Sequence, residues 1–143
     1  MTVHSVGTSM EFVITRLDEV RDVQTEIKDA LAGQQFDDQD QFYIELAVEE
    51  ALVNAVKHGN QLDDAKKVSV KCVITPARFD IRIEDEGAGF DPGDVPDPTA
   101  PENLERPCGR GLLLIRRFMT DVRYHGRGNV VTMSKLRSPS NDE

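Results

Sequence analysis

Glu50 and Asn54 stand four residues apart in the stretch Glu49-Glu50-Ala51-Leu52-Val53-Asn54-Ala55-Val56-Lys57-His58-Gly59. On a helix, residues four apart share a face, so this spacing sets a carboxylate beside a neutral carboxamide. An amide oxygen suits Mg²⁺, a hard cation that takes few protein ligands and fills its shell with water and phosphate. A carboxylate one turn away can orient a hydroxyl or water and accept its proton. Lys57, three residues past Asn54, is within reach of a phosphate. Glu49 lies five residues before Asn54 and points elsewhere, which makes Glu50 the candidate base. The same residues also fit an ordinary solvated helix face.

A second cluster is Asp85-Glu86-Gly87-Ala88-Gly89-Phe90. Asp85 shares parity with Phe79, Ile81 and Ile83, so a strand here aims its carboxylate along the core-facing side. A buried, ionised carboxylate is costly unless it accepts hydrogen bonds. An exocyclic amine such as that of adenine is a fitting donor. Gly87 and Gly89 let the backbone approach a flat ligand closely. The competing reading is a strand that ends in a glycine-rich turn with Asp85 already outside the core. A third cluster, Gly109-Arg110-Gly111-Leu112, falls at a predicted helix start. Free N–H groups and the helix dipole attract phosphate there, and Arg110 adds a fixed positive charge. A lone Gly-x-Gly is often only a turn, and no Gly-x-x-x-x-Gly-Lys-[Ser/Thr] occurs, so P-loop chemistry is excluded.

The elements that must position these residues follow from periodicity. Met10, Phe12 and Ile14 alternate in a strand over 10–16. Leu17, Val20, Val23, Ile27 and Leu31 recur at helical spacing, and Gly33 suits that helix's end. Asp37 or Asp38 caps a second helix over 39–58, with Ile44, Val48, Ala51, Leu52 and Ala55 inside and Gly59 as its stop. Val68, Val70, Cys72 and Ile74 face one way, and Pro76-Ala77-Arg78 turns the chain into the strand of Phe79, Ile81 and Ile83, a hairpin. The stretch 86–108 is rich in Gly, Pro, Asp and Glu and lacks apolar periodicity, the mark of a functional or disordered loop. An apolar helix over 112–119 and strands over 121–124 and 129–136 complete the chain. The expected fold is therefore an α/β, two-layer sandwich: a mixed, largely antiparallel sheet with three helices on one face. Residues 1–9 are expected to be flexible, 10–137 to form the single domain, and 138–143 to fray.

The chain has 143 residues, 38% hydrophobic and 30% charged, enough for one domain with its own core. Its formal net charge of −9 disfavours sequence-independent nucleic-acid binding. No apolar run approaches the roughly 20 residues that span a bilayer, and the polar N-terminus lacks a signal-peptide core. The expectation is a cytoplasmic protein with no membrane partner. Cys72 and Cys108, with three scattered histidines, make no zinc spacing and read as reduced thiols.

Taken in order, the three clusters resemble the GHKL ATPase superfamily, the Bergerat ATP-binding fold of histidine kinases, gyrase-type ATPase domains and anti-sigma-factor serine kinases. Glu50, Asn54 and Gly59 match its N box, Asp85, Gly87 and Gly89 its first glycine box, and Gly109 and Gly111 its second. The resemblance covers 10–136 and implies ATP and Mg²⁺ as cofactors. By the same resemblance Asp85 holds adenine N6, Asn54 holds the metal, Glu50 is the base, and 86–108 is a lid over ATP. Val-Glu-Glu-Ala-x-x-Asn-Ala-x-x-His-Gly and Gly-Arg-Gly-Leu-x-Leu-Ile are most similar to the anti-sigma-factor kinases. That implies a serine/threonine kinase acting on an anti-sigma-factor antagonist, sequestration of a sigma factor, and a homodimer formed through the first strand or helix. Two other functions fit the same site: a nucleotide-binding regulatory module without catalysis, and a detached histidine-kinase catalytic domain. Gyrase-like members start the last strand with Gly-Thr, where this chain has Gly128-Asn129. Either Thr132 or Asn129 is then the residue that supports Asp85 in the cofactor site.

Overall fold

The computed structural model describes residues 7–87, 117–126 and 128–139. The alternating stretches form five strands: β1 (Thr8–Ile14), β2 (Val68–Ile74), β3 (Arg78–Asp85), β4 (Asp121–His125) and β5 (Val130–Leu136). They build one sheet in the order β1-β2-β3-β5-β4, and each neighbouring pair is antiparallel. The sheet expected to be mixed is thus antiparallel throughout the described residues, with β3 at its centre.

Register follows the apolar period. Val70 faces Ile83, Cys72 faces Ile81 and Ile74 faces Phe79 across the β2–β3 hairpin. All six are at most 2% exposed. A register slip of one residue would turn this whole row to solvent, so burial itself specifies the pairing. Thr75 closes the hairpin by accepting from the N–H groups of Ala77 and Arg78.

Two helices cover one face of the sheet. On α1 (Val20–Gly33), Val20, Val23, Ile27 and Leu31 are buried at helical spacing. On α2 (Asp38–Val53), Ile44, Ala47, Val48, Ala51 and Leu52 enter the same core as the inward row of β2 and β3. Each such large side chain contributes about 1.5–3 kcal/mol by leaving water. Asp37 caps α2, its carboxylate accepting from Asp40 N at 2.7 Å. The opposite sheet face is wet and carries ion pairs along single strands, Arg78–Asp80, Arg82–Glu84 and Arg123–Asp121. Pairs this exposed add little to stability.

The described residues hold two helices, not the three expected. The third expected helix lies outside them except at its end, where Arg117 and Phe118 are helical and the Phe118 ring stacks on Tyr43 of α2 at 4.5 Å. β1 begins at Thr8, inside the segment expected to be flexible. Ser138, the expected start of fraying, is held by Asp40, its N–H at 2.9 Å and its hydroxyl at 2.6 Å from the carboxylate. Cys72 is free and buried, and burial raises its thiol pKa to about 11, so it is an inert core residue. Among the described residues, no helix is long and apolar enough to cross a membrane.

Candidate active site

The helix expected to run unbroken to His58 changes its winding at the carboxamide. Regular α2 ends at Val53, and Asn54–Gly59 continues as a π-helical turn. Its wider winding is seen in Asn60 N donating to Ala55 O at 2.8 Å. Such π turns gather at functional sites because they re-aim side chains that a regular helix would keep in line. Glu50 and Asn54, one turn apart, are both half-buried, and Lys57 is exposed. Burial raises the Glu50 carboxyl above its ordinary pKa, and the neighbouring Glu49 charge raises it further. A carboxylate poised in this way accepts a proton more readily than a free glutamate.

Asp85 ends β3 at the same end of the molecule. It is 9% exposed, as its parity requires. Its N–H donates to Asn129 O at 2.9 Å, and its C=O accepts from Asn129 Nδ2 at 3.0 Å. Asp85 Oδ1 accepts from Gly87 N at 2.8 Å. The π turn presses directly on this strand exit. A Cβ on Gly59 would overlap the Asp85 carboxylate, and a Cβ on Gly87 would overlap the Gly59 carbonyl. Both glycines are therefore required by close approach, and the helix end carrying Asn54 meets the strand end carrying Asp85.

Beyond Gly59 the chain reverses through Gln61 (φ 54°) and Leu62 (φ 61°), two left-handed residues that are not glycine. Each costs about 1–3 kcal/mol and persists only where its surroundings over-determine it. Asn60, just before them, is 1% exposed. Its Oδ1 accepts from Glu86 N at 2.8 Å, and its Nδ2 donates to Lys67 O at 3.1 Å. Glu86 Oε1 accepts from Lys67 N at 2.6 Å, alongside those bonds. Sequence reasoning missed Asn60 because an Asn after a helix-ending Gly reads as a turn residue.

Of the two candidates to support Asp85, Asn129 is the one that touches it. Thr132 is paired with Arg82 on the opposite parity, and its hydroxyl contacts His125 Nε2 at 2.8 Å. It lines a shallow depression of about 330 Å³ on the wet sheet face, with Lys71, Arg82 and Ser134. Thr132 thus lies on the sheet face opposite the inward Asp85 carboxylate, and the structure does not bring the two together. Gly89, Gly109, Arg110, Gly111 and Leu112, with the expected lid beyond Gly87, lie outside the described residues. Among the described residues, no group of three or more His, Cys, Asp or Glu side chains could hold a metal ion. A single carboxamide, Asn54, fits a Mg²⁺ held mainly by phosphate and water.

A family model described as a histidine kinase-like ATPase domain matches residues 13–135, which include Glu50–Gly59 and Asp85–Gly87. The chain belongs to the histidine kinase-like ATPase domain family. This ATPase domain is 33% identical over 99 residues to the "Serine-protein kinase RsbW" of Listeria monocytogenes serotype 4a, covering 64% of the chain and 63% of that relative. It is 32% identical over 133 residues to the "Anti-sigma F factor" of Oceanobacillus iheyensis, covering 89% of the chain and 79% of that relative. It thus spans about 63% of the length of the RsbW relative and more of the other. Among solved structures it is similar to the RsbU and RsbW domains of Rv1364c from Mycobacterium tuberculosis, with TM-score 0.63, 16% identity, and coverage of 93% of this chain and 34% of that one. That likeness establishes the fold, and it agrees with the Bergerat architecture expected from the three clusters.

Proposed function

We propose that this ATPase domain binds Mg-ATP between the Asn54 face of α2 and the exit of β3, and transfers the γ-phosphoryl group to a serine of a protein partner. One observation carries the reading. The inward Asp85 carboxylate is seated on Gly59, at the end of the helix that carries Glu50 and Asn54. Adenine recognition and phosphoryl chemistry then share one site. The names of the relatives, a serine-protein kinase and an anti-sigma F factor, support the choice of serine as acceptor. The partner is of the anti-sigma-factor antagonist type, a sigma factor is the sequestered ligand, and the active form is a cytoplasmic homodimer.

In this reading Asp85 accepts from the adenine amine, while Gly87 and Gly89 let the backbone lie against the base. Glu50 takes the proton of the serine hydroxyl as the serine oxygen bonds to the γ-phosphorus, and the bond to the β-phosphate oxygen breaks to release ADP. Burial and Glu49 already favour the protonated form of Glu50, so it holds that proton well. Asn54 would hold Mg²⁺, which would supply charge neutralisation at the transferring group. Lys57, Arg110 and the N–H groups of Gly109, Gly111 and Leu112 offset the remaining phosphate charge. Phosphorylation then weakens the partner's contact with this acidic domain by like-charge repulsion.

The test is incubation with γ-labelled ATP and a candidate antagonist. The expected product carries phosphate stable to acid and labile to alkali. Acid-labile, alkali-stable phosphate would mark histidine as acceptor, and binding without transfer would mark a non-catalytic module. Glu50→Ala should abolish transfer while ATP affinity stays within a few-fold.

A further inference from the structure

We propose that Asn60 is a positioning residue that fixes the angle at which Asp85 meets the nucleobase; the inference rests on the nucleotide reading above. The peptide unit between Asp85 and Glu86 is held from both ends by asparagine side chains. Its C=O accepts from Asn129 Nδ2 at 3.0 Å, and its N–H donates to Asn60 Oδ1 at 2.8 Å. The Asp85 N–H is held on Asn129 O at 2.9 Å, so pinning the following peptide as well fixes the Asp85 backbone on both sides and with it the Cα–Cβ direction in which the carboxylate leaves. The Asn129 end belongs to the sheet. The Asn60 end belongs to the helix layer, because Asn60 N donates to Ala55 O at 2.8 Å, within the π turn that also carries Asn54.

The amide is used at both ends. Asn60 Nδ2 donates to Lys67 O at 3.1 Å, which ties the entry of β2 to the same point. An aspartate here would keep the link to Glu86 and lose the one to Lys67; an alanine would lose both. A buried asparagine with no role beyond stability would loosen the whole domain when removed. One that aims Asp85 must alter discrimination at the base more than it alters binding of the phosphates. The left-handed pair Gln61 and Leu62 turns the chain away after Asn60, which leaves its side chain inside at 1% exposure.

The experiment compares affinity for ATP with affinity for purine riboside triphosphate, which lacks the exocyclic amine, at a temperature where circular dichroism shows each variant folded. The wild type should prefer ATP by about tenfold or more, the size of a hydrogen bond to a charged group. In Asn60→Ala the preference should fall to within about threefold, and in Asn60→Asp, which keeps the acceptor for Glu86 N, it should be retained. Asp37→Ala removes the cap at the far end of α2 and should keep the wild-type ratio. A wild-type ratio in Asn60→Ala, or an equal collapse in Asp37→Ala, overturns the proposal. If Asn60→Ala does not fold, Asn60→Asp decides alone: retained preference supports the role and lost preference overturns it. A wild type that does not distinguish the two nucleotides sinks the assignment of Asp85 itself, and the role of Asn60 with it.

Discussion

At the residue scale, the burial that raises Glu50 has a kinetic consequence. A base must be ionised to act, so with Glu50 in its proposed role phosphoryl transfer should fall away as pH drops through the Glu50 pKa. Because burial and then Glu49 hold that pKa above the ordinary glutamate value, the acid limb of the rate profile should lie above it. Glu49→Gln removes the smaller cause and should move the limb to lower pH without abolishing transfer; a profile that does not move would remove Glu50 from the role of base. A second prediction separates the two candidates on β5 and the turn before it. Asn129→Ala leaves the Asp85 C=O without its side-chain donor and should weaken ATP binding several-fold, at a stability cost of about 1 kcal/mol. Thr132→Ala, on the other sheet face, should leave affinity within about twofold, as a titration calorimeter would read. The half-buried positions of Glu50 and Asn54 one helical turn apart, and the inward position of Asp85, were legible in the sequence because helical spacing and strand parity each make a definite claim about direction. Asn60 was not, because its partners, Lys67 and Glu86, come from segments that no local pattern connects to it.

At the element scale, β2, β4 and β5 were legible to within a residue and β1 lies two residues earlier than expected, since an alternating apolar run can satisfy burial in one register only but does not mark where pairing starts and stops. The end of α2 was not. The switch to π winding at Asn54 comes from the tertiary demand that Gly59 lie against Asp85, and nothing in Asn54–Gly59 taken alone favours it. Two glycines show the difference between chain-level and contact-level reasons. Gly33 closes α1 with nothing within 4 Å of a would-be Cβ, and the left-handed residue of that turn is Gln35, φ 63°. Gly33→Ala should therefore stabilise the domain by about 0.5–1 kcal/mol through helix propensity and a less flexible unfolded chain. Gly59→Ala puts a methyl into the Asp85 carboxylate and should cost about 1–3 kcal/mol and at least tenfold in ATP affinity. Thermal melts of the two variants should move in opposite directions; a Gly59→Ala variant that melts and binds like wild type would mean that the helix end and the strand exit do not touch in solution.

At the scale of the whole molecule, the two ends of α2 are fastened by different chemistry, and the end away from the site depends on charge. Asp40, 1% exposed, accepts from Ser138 N and Oγ and lies 3.4 Å from Lys135 Nζ. Next to it, Arg137 donates to the carbonyls of Gln34, Gln35 and Pro76 and stacks on Phe36 at 5.1 Å. The last strand thus straps the joint between α1 and α2. Burial pushes the Asp40 pKa up, but the Ser138 hydrogen bonds and Lys135 outweigh it and hold the carboxyl below its ordinary value. A carboxyl depressed in the folded state contributes stability that is present above its unfolded pKa, about 3.9, and is lost as pH falls through the folded one. Asp40→Asn should cost about 3 kcal/mol at neutral pH, because Lys135 loses its partner in a poorly solvated place. That is about 6–12 °C in melting temperature for a domain of this size. The gap between variant and wild type should begin to narrow once the buffer is taken below the unfolded value of about 3.9, and should go on narrowing toward the lower folded pKa, where the wild type gives up the same charge. ATP affinity, measured where both are folded, should be equal, since the 14 residues from Asp40 to Asn54 put the strap about 21 Å from Asn54 along the helix. A gap that stays constant with pH would mean that Asp40 is held by packing and not by its charge, and an affinity that falls with the strap would mean that α2 transmits the loss along its length to the site.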